Sequence, residues 1–147
     1  MKELKYIVCS LELAKELKKN GYPQESLFYW ADYGVVIHPD KDIRVLCEGG
    51  RIKNVEWFPA PTATELLNEL PSEVDDTKLI EKSGVPVEWN YPASEPEYYP
   101  KLFIDKGESD YSVCYSTPHI SNQQDESLPN ALAKMYIYLK SEGLIDG

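Results

Sequence analysis

The chain has 147 residues, with 25 acidic against 15 basic side chains and a formal net charge of −10. That length builds one ordinary domain, residues 1–147, with a real core. The charge and its distribution disfavour direct nucleic-acid binding, which requires a cationic stripe. No apolar run approaches the length of a membrane span, and the N-terminal MKELKYIVCSLELAKEL lacks the apolar stretch and cleavage site of a secretory leader. Cys9, Cys47 and Cys114 are odd in number, far apart and set among apolar neighbours. They are expected as buried free thiols in a reducing cytoplasm.

Taken in chain order, the first element is a helix over residues 10–20. Ser10 is placed to cap it, Glu12 complements its dipole, and Leu13, Ala14 and Leu17 follow at helical spacing. Gly21 and Pro23 end it. The aromatic run Leu27-Phe28-Tyr29-Trp30 is expected as a strand covered by that helix, hairpinned through Gly34 to Val35–Ile37. Ile43–Cys47 and Ile52–Phe58 predict a second hairpin, stopped by Pro59 and Pro61.

Thr62-Ala63-Thr64-Glu65 fits a capping box that starts a short helix carrying Leu66, Leu67 and Leu70. Residues 72–76 are expected as an acidic loop, and Thr77–Lys82 as a strand or a helical turn. Val87, Trp89 and Tyr91 alternate with polar residues, as in a half-buried strand. Pro92, Pro96 and Pro100 then impose an extended loop. Lys101–Asp105 and Tyr111–Ser116 predict a hairpin with Tyr111, Val113 and Tyr115 on one face. The last element is a helix over residues 127–142, striped by Leu128, Leu132, Met135 and Leu139, with Pro129 in its first turn and Gly143-Leu144 as its stop. This order predicts an α+β fold, an antiparallel sheet of hairpin-connected strands with the N-terminal and C-terminal helices packed on it.

Three blocks carry a family resemblance. They are Cys9-Ser10-Leu11-Glu12-Leu13-Ala14-Lys15 with Gln24–Trp30, Ala60-Pro61-Thr62 with Glu65-Leu66-Leu67 and Leu70-Pro71, and Ala131–Met135 with Tyr138-Leu139 and Gly143-Leu144-Ile145. Together they resemble small uncharacterised proteins encoded by bacteriophages and prophages. The resemblance implies an accessory protein in the cytoplasm of a bacterial host, and it brings no catalytic residue with it. The segment 72–126 carries none of these blocks.

Two surface features are weighed for contact with a protein partner, against packing on the core and sheet edge for the first and, preferred for the second, plain solubility. The first is the aromatic, proline-stiffened stretch holding Trp89, Tyr91, Tyr98 and Tyr99, since such side chains give large contact area at low entropic cost. The second is an acidic surface around Glu73, Asp75 and Asp76, within residues 64–99, which carry −7 of the net charge. The leading expectation is a non-enzymatic protein–protein interaction module. One alternative is an acidic DNA mimic that occupies a host nucleic-acid enzyme. The other is a small hydrolase with Cys114 or Ser116 as nucleophile, His119 as base and Asp110 or Asp125 as orienter. No nucleophile elbow, paired cysteine motif, calcium loop or phosphate cradle accompanies these residues, so no catalytic residue, metal or cofactor is predicted. Self-association stays open.

Overall fold

A computed structural model of the chain describes residues 7–31, 36–37, 57–84 and 99–145. Within them the fold is α+β: four helices and two three-stranded antiparallel sheets. The elements are α1 (Leu11–Lys19), β1 (Tyr29–Ala31), β2 (Val36–Ile37), β3 (Trp57–Pro59), α2 (Ala63–Glu69), α3 (Thr77–Ser83), β4 (Leu102–Lys106), β5 (Tyr111–Tyr115), β6 (Gln123–Asp125) and α4 (Leu128–Ser141). The hairpin turn at residues 32–35, most of the second expected hairpin and the expected strand through Val87, Trp89 and Tyr91 lie outside the described residues.

The helix ends follow their sequence signals. The Ser10 hydroxyl accepts from the Leu13 amide at 3.3 Å, and Ser127 caps α4 in the same way through Asn130. At the other end of α1 the Tyr22 amide donates to the Leu17 carbonyl at 2.9 Å, with Gly21 at φ +82°. Leu144 donates to Leu139 at 2.9 Å past Gly143, φ +72°. Both stops are Schellman motifs, in which a left-handed residue lets the chain turn back on orphan carbonyls. Thr62 and Glu65 form the full capping box at the start of α2. The same Glu65 carboxylate accepts from the Ser26 hydroxyl at 3.1 Å and the Leu27 amide at 3.3 Å, tying the aromatic segment to that helix. Residues 77–83 are helical.

The sheets differ from the single layer expected. β2–β1–β3 forms one sheet, with Trp30 opposite both Val36 and Phe58, and it meets α1 through β3. There the ammonium groups of Lys18 and Lys15 lie 5.0 and 5.6 Å from the centre of the Phe58 ring. β4–β5–β6 forms the other sheet and packs under α4 through β5 and β6. α4 also touches α1 and α2. The reason lies in α4 itself. Besides the predicted stripe of Leu132, Met135 and Leu139, it buries Pro129, Ala131, Ala133 and Tyr136, more than half its circumference. Such a helix needs neighbours on several sides, so the other elements gather around it rather than lying together on one sheet.

The aromatic run is only partly covered. Trp30 packs against the core and its indole N–H donates to the Cys9 carbonyl at 2.8 Å, Phe28 and Tyr29 are half-buried, and Leu27 is exposed. Strand β6 forms without a local signal: Gln123-Gln124-Asp125 has no apolar alternation and joins the sheet by pairing with β5.

Candidate functional site

The acidic segment and Tyr99, the one described aromatic of the candidate contact stretch, meet at the entrance to β4. Residues 72–74 run antiparallel to residues 100–102: the Leu102 amide donates to the Ser72 carbonyl at 2.8 Å and the Val74 amide to the Pro100 carbonyl at 3.1 Å. Tyr99, half-buried, donates its hydroxyl to Asp75 Oδ2 at 3.3 Å. Trp89, Tyr91 and Tyr98 lie outside the described residues. Glu73 and Asp75 are exposed.

Asp76 corrects the expected acidic surface. It is 1% exposed, because the chain turns inward to start α3 and its Oδ2 accepts from the Thr117 hydroxyl at 2.9 Å. Its Oδ1 has no hydrogen-bond partner among the described residues. The side chain therefore joins α3 to the turn after β5 rather than facing a partner. The Asp75 carboxyl is held below the usual carboxylate range, chiefly by the Thr77 hydroxyl, with the Thr77 amide, Tyr99 and Lys78 adding to it against a desolvation penalty.

Beyond Leu102 the outer edge of β4 is unpaired among the described residues. β4 pairs on one side with β5, Phe103 opposite Cys114 and Asp105 opposite Ser112. The Leu102 amide points the other way, to Ser72, and strand alternation turns the backbone groups of Ile104 and Lys106 to that same outer side. No further strand pairs there among the described residues. Every β4 residue after Leu102 is exposed, with Phe103 at 49% and Ile104 at 37%. An edge of this kind is a template for a further strand, and proteins usually blunt it with charge, proline or a bulge. Here Asp105 and Lys106 blunt only its end. The signal was present in the sequence: Leu102-Phe103-Ile104 is apolar without alternation, too apolar for a strand with a wet face.

Of the residues in the alternative hydrolase reading, Cys114, Ser116 and Asp125 have side chains set to other uses. Cys114 lies in the middle of β5, buried, and desolvation together with Asp105 pushes its thiol pKa up, the opposite of what a nucleophile needs. The Ser116 hydroxyl accepts from the Lys101 amide at 2.9 Å, and the Asp110 carbonyl accepts from Gly107 at 2.8 Å in the hairpin turn. His119, after the sheet, donates its backbone amide to the Thr117 hydroxyl at 3.2 Å. Asp125 accepts from the Ser127 amide at 2.9 Å and from Lys134 Nζ at 3.0 Å.

A groove of about 650 Å³ lies between α1 and the β6–α4 junction, lined by Ser10, Glu12, Leu13, Glu16, Asp125, Asn130 and Lys134. Its inner polar groups serve one another. The Ser10 amide donates to Asn130 Oδ1 at 2.7 Å, and Asn130 and Lys134 both donate to Asp125. Burial disfavours the Asp125 carboxylate, and the Ser127 amide, Lys134 and Asn130 outweigh that, so its pKa is lowered. The groove is thus a joint between the two terminal helices. Among the described residues no three His, Cys, Asp or Glu side chains gather to hold a metal ion, and no helix is long and apolar enough to cross a membrane.

No family model, curated protein or solved structure matches the chain.

Proposed function

We propose that this is a non-enzymatic protein–protein interaction module that takes up its partner along the open edge of β4. One observation carries the reading: Phe103 and Ile104, large apolar side chains on adjacent positions and thus opposite faces, are 49% and 37% exposed on a strand whose outer backbone groups are unpaired among the described residues. Strand addition draws affinity from such backbone groups and specificity from the side chains beside them. A role as a phage or prophage accessory protein in the host cytoplasm rests on the three resembling sequence blocks.

The test is capture from host lysate by the wild-type chain and by Phe103→Ser, at low and high salt. Phe103 is half exposed, so its replacement costs about 1–2 kcal/mol, and the variant's fold is checked by circular dichroism before capture. The expected result is a captured protein that survives high salt and is lost with the variant. A partner retained by Phe103→Ser and released by salt would overturn the reading in favour of the acidic surface.

A further inference from the structure

Resting on that reading, we infer that the segment taken up by β4 is an extended peptide, apolar where it meets Phe103 and Ile104 and basic where it meets the hairpin turn. The backbone sets the first part. The Ser72 carbonyl already occupies the Leu102 amide, so the free ladder begins after it and runs through Ile104 and Lys106 to the hairpin turn at Gly107. A visitor to this stretch must itself be extended, because only a strand offers donors and acceptors at the matching spacing. The side chains set the second part. At the start of the free ladder Phe103 stands on one face and Ile104 on the other, both exposed, so the visitor's residues there meet apolar surface.

Charge sets the third part. The end at Leu102 is bordered by exposed Glu73 and Asp75, on the segment that peels away from β4. The other end is bordered by Asp105, Glu108 and Asp110, the last two in the hairpin turn. Lys101 and Lys78, the latter acting on Asp75, balance the first pair, whereas Lys106 alone stands against the other three carboxylates. The turn end of the ladder is therefore net acidic while its start is apolar, the complement of a strand with an apolar stretch and one cationic flank. A second copy of this chain fits poorly, since it brings the same carboxylates and a net charge of −10 to the contact.

The test is selection from a display library of random linear peptides on the full chain, with three variants beside it. Ile104→Pro removes the first outward donor of the free ladder and leaves the bonds to β5, which come from Phe103 and Asp105. Phe103→Ser serves as a second edge variant, and Asp105→Lys with Glu108→Lys reverses two charges at the turn end. The expected result is enrichment of peptides with an apolar stretch and Lys or Arg at one end. Their affinity falls at least tenfold on Ile104→Pro or Phe103→Ser. It falls about fivefold on the double charge reversal, the size of two exposed ion pairs. Enriched peptides that depend on Ile104 and Phe103 but show no basic bias would overturn the charge assignment and leave the docking edge standing. Peptides that bind the edge variants as well as wild type, or a library that yields no enrichment, would overturn the docking edge as well.

Discussion

At the scale of single residues, the Asp125 carboxylate carries the clearest dependence on solution conditions. It is held by the Ser127 amide, Lys134 and Asn130, and its pKa in the folded chain lies below the usual value. A carboxyl depressed by folding stabilises above its unfolded pKa of about 3.9, and that stabilisation is lost as pH falls through the folded pKa. Asp75 acts in the same direction through Thr77. Acid unfolding of Asp125→Asn, followed by circular dichroism, is expected to show a shallower loss of stability below about pH 4 than wild type. The thiols give a second readout. Burial pushes the Cys9 pKa up to about 12 and leaves the side chain with no exposed surface. Cys9 is therefore expected to resist a thiol reagent in the native chain at pH 8 and to react once denaturant is added, as mapped by peptide mass spectrometry. Thr117→Val leaves the buried Asp76 without its described partner, and a loss of about 1–3 kcal/mol is expected in urea titration.

At the scale of elements, legibility followed chemistry that is local in sequence. Ser10, Thr62 with Glu65, Gly21 and Gly143 act on amides and carbonyls within a few residues, so α1, α2 and α4 were readable nearly to their ends. The positive φ at Gly21 and Gly143 admits a side chain only under strain; Gly143→Ala is expected to cost about 1 kcal/mol in thermal or urea unfolding, although nothing stands within 4 Å of the added methyl. Tertiary elements were less legible. β6 has polar residues and forms because β5 offers it an edge, information that Gln123-Gln124-Asp125 does not contain. Asp76 looked like one more surface acid because its burial depends on Thr117, 41 residues away. The β4 edge was half visible: the hairpin and its register were readable from Lys101 to Ser116, but which flank of β4 would stay open depends on where residues 72–74 leave it.

At the scale of the whole molecule, the fold is organised by α4, which touches α1, α2, β5 and β6 and supplies six of the buried core side chains between Ala131 and Leu139. The sequence showed the leucine stripe, and the two small buried residues Ala131 and Ala133 explain why more than one neighbour can come close. Leu132→Ala, at the centre of that helix and fully buried, is expected to cost about 2–5 kcal/mol and to destabilise all of these elements together. Native-state hydrogen exchange, read residue by residue, probes both this tight centre and the outer edge of β4, which is unpaired among the described residues. Amides of α4 around Leu132 to Leu139 are expected to exchange slowest. Along β4, Phe103 and Asp105 are expected to be protected by β5 while Ile104 and Lys106 exchange rapidly. Equal protection of all four β4 amides in the isolated chain would mean that the outer edge is not open.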